Sequence, residues 1–156
     1  MTETLLVNLY KPAKKSEFVP PLGLLYILAV TEQAGIPVQF EDLQFDLYAG
    51  KFHPLAFANS IDPGIKTVGI SYMCDLSPVA VLTARAVKTV RPDITVILGG
   101  AGPSGLGQEL IAAFPFIDIV VNGEGETTFL EVLDGLNHGG KPGDLGKIKG
   151  ITYNRN

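Results

Sequence analysis

The chain has 156 residues, of which 46% are hydrophobic and 18% charged, a composition that predicts one globular domain and excludes extended disorder. The net charge of −4 argues against a nucleic-acid partner, and the single cysteine, Cys74, excludes an internal disulfide and any cluster held by three of this chain's thiolates. Because no basic leader precedes an apolar segment and no apolar run reaches membrane-spanning length, we expect a cytoplasmic protein without a membrane partner.

Apolar runs of strand length alternate with helical patterns along the chain. In chain order, the sequence predicts strands at 5–9, 38–43, 68–72, 94–98, 117–121 and 150–153, and helices at 24–34, 54–60, 78–90, 106–114 and 126–136. Two prolines precede the first helix and Gly35 follows it, which are typical start and stop signals. Ser77 is predicted to cap the helix that Pro78 opens, with Asp75 as a second capping group.

The alternation of strands and helices predicts an α/β fold. We expect three layers, with a doubly wound sheet of five parallel strands covered by helices on both faces. A glycine-rich stretch at 138–143 marks a domain edge, and the short strand at 150–153 lies beyond it. Ligands of such sheets bind outside the carboxyl ends of the strands, so the loops there are the place to look for a site.

The loop after the fourth predicted strand is rich in glycine. Gly100, Gly102 and Gly105 have the G-x-G-x-x-G spacing of dinucleotide-binding loops, but that motif should follow the first strand and precede a more distant acidic residue than Asp118. The glycines either allow a bulky ligand to approach the backbone or simply form turns. The loop at 122–126 repeats the pattern, and its acidic residues also suit the start of a helix.

No group of residues predicts catalysis or metal binding. His53 and His138 are far apart, and Cys74 has no histidine in an evident supporting position. Asp42 and Asp46 do not form the carboxylate cluster of a receiver domain, since the first strand ends in Asn8 instead. We therefore expect neither a catalytic residue nor a metal ligand in these residues.

Four segments together resemble a known family. They are 20–24, 68–71, 96–104 and 120–129, and the most specific features are Gly-Gly-x-x-Pro-Ser in the third and Gly-Glu-Gly-Glu-x-x-Phe in the fourth. The sequence resembles, from Leu5 to Tyr153, the N-terminal cobalamin (vitamin B12)-binding domain of cobalamin-dependent radical S-adenosylmethionine enzymes. That group includes methylases and the anaerobic oxidative cyclase acting on magnesium-protoporphyrin monomethyl ester. The resemblance implies a five-stranded flavodoxin-like sheet with the corrin on its carboxyl edge.

The resemblance also implies a set of site residues. Ser71 and Met73 match the family's Ser-x-hydrophobic turn, Gly99 and Gly100 match its Gly-Gly pair, and 123–125 matches the loop after the fifth strand. The cofactor-binding residues predicted on this basis are Asn8, Tyr10, Pro21, Leu22, Gly23, Ser71, Tyr72, Met73, Gly99, Gly100, Ala101, Gly102, Pro103, Gly123, Glu124 and Gly125.

One loop departs from the pattern of many cobalamin domains. These carry Asp-x-His-x-x-Gly after the first strand, where the histidine is the lower ligand of cobalt, whereas this chain has no histidine between Asn8 and Ala13. We therefore expect binding without a histidine lower ligand and with the benzimidazole tail displaced from cobalt. His53 follows the second strand, so we do not expect it to replace the missing ligand.

The resemblance implies a cofactor-presenting module. Residues 1–145 would bind cobalamin, and 146–156 would form the last strand and the start of a linker to a catalytic domain. That domain, in the same parent chain, would hold the [4Fe-4S] cluster and S-adenosylmethionine and act on a small-molecule substrate. Two alternatives remain at this point: a flavodoxin-like domain that binds FMN or another nucleotide, and a protein-docking domain without a ligand.

Overall fold

The computed structural model describes residues 3–154. It shows a six-stranded sheet with helices on both faces. The strands are β1 (Thr4–Leu9), β2 (Val38–Asp42), β3 (Thr67–Tyr72), β4 (Thr95–Gly99), β5 (Ile119–Val121) and β6 (Ile151–Tyr153). The helices are α1 (Leu22–Gln33), α2 (Gln44–Tyr48), α3 (Pro54–Ser60), α4 (Ser77–Val90), α5 (Gly107–Ala113) and α6 (Glu126–Asn137). The predicted α/β class is confirmed. Within the described residues, no helix is long and apolar enough to cross a membrane.

The strand order is β2-β1-β3-β4-β5-β6, which is the flavodoxin-like order with one added strand. The first five strands are parallel, as predicted, and β6 is antiparallel to β5. The sheet therefore has six strands rather than five. The reason is that residues 138–150 return to the carboxyl edge before β6 begins, where the Asn122 N–H donates to the Gly150 carbonyl at 2.7 Å.

Two hydrophobic cores lie on the two faces of the sheet. Alternate residues of the central strands enter them, so that Val7 and Leu98 pack with α3 and α4, whereas Leu6 and Ile97 pack with α1 and α6. All six residues of β1 are buried, as expected for a central parallel strand covered on both faces. This two-residue alternation also decides which residues of each strand can face a ligand.

Two local features differ from the sequence prediction. Helix α2 was not predicted, because five residues are too few for a helical period to emerge; its Gln44 N–H is held by the Asp42 carboxylate at 3.2 Å. The prediction that Ser77 caps α4 is wrong. A short turn at Cys74–Leu76 precedes the helix, so Ser77 is its first residue, no side chain caps that end, and the Ser77 hydroxyl donates to the Cys74 carbonyl at 2.8 Å.

Candidate cofactor-binding site

A cleft lies where the strand order reverses, at the carboxyl ends of β1 and β3. Sheets of this order bind ligands at that point, because the connections leave β1 and β3 toward opposite faces and open a crevice between them. The cleft has a volume of about 550 Å³ and is partly open to solvent. Enclosed sites for drug-sized ligands have roughly 300–1,000 Å³, so a larger ligand must extend beyond its mouth.

Small and polar residues form the row of the sheet at the mouth of the cleft. In the strand register Asn8 pairs with Ser71, and Ser71 pairs with Gly99, so that the three side-chain positions lie side by side on the α1/α6 face. A Cβ atom placed on Gly99 would meet no heavy atom within 4 Å, so this position opens directly into free space. The mouth is therefore wide because two of its three strands carry very small residues there.

The next row inward, two residues earlier on each strand, is apolar. Leu6 pairs with Gly69, and Gly69 pairs with Ile97. A Cβ on Gly69 would lie 2.9 Å from Leu6 Cδ1 and 3.3 Å from Phe129 Cε2, so the glycine lets these neighbours approach the sheet. Inside the mouth the cleft thus continues as a hydrocarbon-lined space between the sheet and helices α1 and α6.

The loop after β4 is held tightly against β3. The Gly102 N–H donates to the Tyr72 carbonyl at 2.9 Å, and a Cβ on Gly102 would overlap the Tyr72 ring. Gly100 has φ +91, and a Cβ there would lie 2.8 Å from Ser71 Oγ. These two glycines are therefore required by packing within the protein. Burial raises the pKa of Tyr72, and the adjacent Ser77 hydroxyl offsets part of that effect.

A partly buried hydrogen-bond network connects the end of β1 with the wall of the cleft formed by the loop before α1. Asn8 Nδ2 donates to Asp42 Oδ1 at 2.9 Å, and Gln44 Nε2 donates to Asp42 Oδ2 at 2.8 Å. The Gln44 amide also pairs with the backbone of Val19, donating to its carbonyl at 2.9 Å and accepting from its N–H at 3.3 Å. Because Val19 lines the cleft, the network ties the end of β1 to the loop that leads into α1.

The cleft brings together most of the predicted site residues. Those that line it are Asn8, Tyr10, Pro21, Leu22, Gly23, Ser71, Tyr72, Met73, Gly99, Gly100, Ala101, Gly123, Glu124 and Gly125. Gly102 and Pro103 do not line it and are buried in the loop instead. Contact of the lining residues with a cofactor stays a prediction.

Sequence reasoning missed most of the interior of the cleft. The further lining residues include Leu6, Val19, Leu24, Ile27, Gly69, Ile97, Ser104, Val121, Glu126 and Phe129. The strand residues among them could have been found, since Leu6, Gly69 and Ile97 stand two positions before Asn8, Ser71 and Gly99 and therefore share their face.

The side chains around the cleft offer no metal site and no catalytic pair. Neither His53 nor His138 lines it, and the described residues contain no group of three His, Cys, Asp or Glu side chains that could hold a metal ion. The charged residues of the lining are Glu124 and Glu126, at the start of α6. The cleft is thus suited to a large ligand held by shape, apolar contact and a few hydrogen bonds at the mouth.

Comparisons with known sequences identify one family. Residues 13–133 match the B12 binding domain family. An uncharacterized methyltransferase of Pyrococcus horikoshii is 31% identical over 138 residues, covering 88% of this chain and 28% of that protein. An anaerobic magnesium-protoporphyrin IX monomethyl ester cyclase of Synechocystis is 28% identical over 146 residues, covering 89% of this chain and 27% of that protein.

Solved structures share the fold. The radical S-adenosylmethionine methyltransferase TsrM of Kitasatospora setae, with tryptophan and an S-adenosylmethionine analogue bound, superposes with a TM-score of 0.74 at 20% identity, over 98% of this chain and 28% of that chain. The same enzyme with cobalamin and a [4Fe-4S] cluster bound gives a TM-score of 0.67 at 22% identity, over 99% of this chain and 27% of that chain.

The chain therefore spans little more than a quarter of the length of these relatives. The family match extends over most of the chain, and it includes the loops at the carboxyl ends of β3, β4 and β5 that line the cleft. The chain belongs to the family of B12-binding domains, and its cofactor is cobalamin.

Proposed function

We propose that this domain holds cobalamin across the mouth of the cleft and presents it to a radical S-adenosylmethionine domain of the same longer polypeptide, for methyl transfer or related radical chemistry on a small molecule. The observation that carries the proposal is the open row of small residues at the β1/β3 reversal, with Gly99 facing free space. Relatives that are named as an uncharacterized methyltransferase and a cyclase extend well beyond this chain, which supports a catalytic partner domain.

The residues present fit this cofactor. Ser71 and the side-chain carbonyl oxygen of Asn8 would hydrogen-bond to the cofactor at the mouth. The backbone at Gly99 and Gly123 would be open to its close approach, since a Cβ on either residue would meet nothing within 4 Å. Bound cobalamin supplies a cobalt centre that can carry an alkyl group and change oxidation state. The chain's own contribution is to bind and orient the cofactor, since no nucleophile with a supporting base lines the cleft.

We further propose that the lower face of the cobalt has no histidine ligand. The loop after β1 presents Tyr10 to the cleft where a histidine would stand in many cobalamin domains, and His53 is the exposed residue before α3, outside the lining. His53→Ala should therefore leave the visible spectrum of the bound cobalamin unchanged. A spectrum of histidine coordination in the wild type that His53→Ala abolishes would contradict this proposal.

A titration distinguishes cobalamin from the flavin alternative. The purified chain is mixed with hydroxocobalamin or with FMN, desalted, and examined by visible spectroscopy. We expect retained corrinoid and no retained flavin, because the charged residues of the cleft lining, Glu124 and Glu126, oppose a phosphate dianion. Retained flavin without corrinoid would overturn the proposal, and retention of neither would favour the protein-docking alternative.

The proposed catalytic domain can be tested on the sequence of the longer polypeptide. We expect a Cys-x-x-x-Cys-x-x-Cys motif in it, since this chain has one cysteine and cannot supply three thiolates to a cluster. A cytoplasmic location is part of the same proposal, because Cys74 is free and exposed, as is usual in a reducing compartment. A full-length protein without any such cysteine motif would contradict the radical-enzyme assignment.

A further inference from the structure

Helix α1 carries apolar residues on the side that faces away from the sheet. Its inner residue Leu24 packs in the core between the sheet and helices α1 and α6. The outward residues Leu22, Leu25 and Tyr26 have exposed fractions of 64%, 41% and 63%. Ala29, one turn further on, is also exposed. The spacing i, i+3, i+4 and i+7 places these four residues on one stripe, so the first two turns of α1 are apolar on both sides.

Helix α6 packs beside α1 on the same face of the sheet and shows the usual arrangement. All of its exposed residues are polar, and they are Thr127, Glu131, Asp134 and Asn137. In contrast, residues 18–31, which include most of α1, carry no charge. A helix that is apolar all around is typically buried within a larger protein. The outer side of α6 is therefore suited to water, and that of α1 is suited to another protein surface.

The apolar stripe of α1 continues into the loop before it and into α2. In the loop, Phe18 and Val19 have exposed fractions of 36% and 51%. The Phe18 ring packs edge-on against Tyr48, with ring centroids 5.2 Å apart, and the Val19 backbone pairs with the Gln44 amide. These contacts hold α2 alongside the loop, and α2 adds Phe45, which is 65% exposed.

Six large apolar side chains on these adjoining segments thus form what we call the outer apolar face: Phe18, Val19, Leu22, Leu25, Tyr26 and Phe45. Single exposed apolar residues are ordinary, whereas a group of neighbouring ones marks an interaction site. Because Val19 and Leu22 also line the cleft, the face reaches the mouth.

We propose that the catalytic domain of the same longer polypeptide docks on the outer apolar face, through an apolar surface of its own. The inference rests on the proposed function and adds to it the side from which the catalytic domain reaches the cofactor. Since residues 18–31 are uncharged, burial of apolar surface supplies the binding free energy.

Two observations favour this occupant over a second copy of the chain. In each of the two relatives, more than two-thirds of the length lies outside the part that this chain matches, so polypeptide is present that could cover the face. The face also borders the mouth, so a domain docked there stands next to a ligand in the cleft. Two copies joined through this face would instead crowd their own mouths and hinder access to the cofactor.

Hydroxyl-radical footprinting compares the 156-residue chain with the longer polypeptide. Oxidation rates of single side chains are measured by mass spectrometry. We expect Tyr26 to be oxidised at least about fivefold more slowly in the longer polypeptide, because side chains at the core of an interface lose their contact with solvent. Leu82, 48% exposed on α4 across the sheet, is the reference and should react equally in both.

Three results would overturn the docking. They are equal oxidation of Tyr26 in both proteins, equal protection of Leu82, and protection of Tyr26 in the 156-residue chain itself that disappears as a dimer dissociates on dilution. The last result would assign the face to a second copy. Retained hydroxocobalamin with unprotected Tyr26 would overturn the docking alone, whereas failure of the chain to bind hydroxocobalamin would overturn the proposed function.

A matched pair of variants tests the face directly. Tyr26→Glu places a carboxylate within the face, and Thr127→Glu places one on the outer side of α6. Neither residue lines the cleft, so both variants of the 156-residue chain should bind hydroxocobalamin as the wild type does. In the longer polypeptide, Tyr26→Glu should raise the oxidation rate of Leu25 at least about fivefold, because an unpaired carboxylate opposes burial. Thr127→Glu should leave that rate unchanged. Leu25 that stays protected in Tyr26→Glu, or that Thr127→Glu exposes equally, would contradict docking at this face.

Discussion

Replacing Gly99 and Gly102 one at a time separates the two reasons for which glycine stands at the carboxyl end of β4. A Cβ on Gly99 would meet nothing within 4 Å, whereas a Cβ on Gly102 would lie 2.9 Å from the Tyr72 carbonyl oxygen and overlap its ring. Gly102→Ala therefore forces the loop away from β3. Overpacking of this kind costs about 1–3 kcal/mol, which for a domain of this size corresponds to a drop in Tm of roughly 2–12 °C.

Gly99→Val should do the opposite. Valine suits a strand and meets no neighbour here, so we expect the Tm to stay at or above the wild-type value. Its side chain would occupy the mouth of the cleft, and we expect hydroxocobalamin affinity to fall at least tenfold, or about 1.4 kcal/mol.

Thr95→Val, at the other end of β4 and outside the cleft lining, is the control for valine in this strand. Thermal unfolding and a spectroscopic titration are measured on all three variants. Wild-type affinity in Gly99→Val, or a wild-type Tm in Gly102→Ala, would refute the reasoning about these two glycines.

Two further predictions concern the cleft wall and β2. Gln44→Leu removes the hydrogen bonds that connect the loop before α1 to Asp42. We therefore expect a loss of about 1–3 kcal/mol in the free energy of unfolding and weaker cobalamin binding. The control, Gln33→Leu at an exposed position, should change neither stability nor binding. Burial, with a smaller contribution from Asp46, raises the pKa of Glu41, so ionised Glu41 opposes folding at neutral pH. Glu41→Gln should raise the Tm at pH 7, and the gain should vanish as the pH falls below the ordinary carboxyl range, because Glu41 is then protonated in both states. An equal gain at both pH values would contradict the assigned cause.

The strand pattern of the sheet could be predicted from the sequence because central parallel strands must be apolar on both faces. β1 and β3 therefore appear as largely apolar runs, and the mouth residues Asn8 and Ser71 stand near the ends of those runs. The missed helix α2 is too short for periodicity, and its position depends on the long-range contact between Gln44 and Val19.

The glycines of the loop after β4 show that the local sequence pattern cannot predict which glycine faces a ligand. Gly99 and Gly102 are indistinguishable in sequence as ligand-facing residues, but only the first faces free space. Gly102 has no side chain because the ring of Tyr72 in β3 occupies that space. The spacing of residues in the sequence cannot predict such a contact. The helix-borne walls of the cleft, Ile27 and Phe129, were missed for the same reason, since their placement depends on how α1 and α6 rotate onto the sheet.

The antiparallel direction of β6 has a consequence for any polypeptide that continues beyond it. The strand begins opposite Val121, near the cleft, and runs away from the cleft. After it, the Asn154 N–H donates to the Asp118 carbonyl at 2.8 Å, at the amino end of β5. A following segment would thus set out from the amino ends of the parallel strands, at the edge of the sheet opposite the cleft. That segment would have to turn back along the outside of the domain before any part of it could cover the mouth of the cleft. The length and path of the segment would therefore limit how closely a following domain could approach a ligand in the cleft.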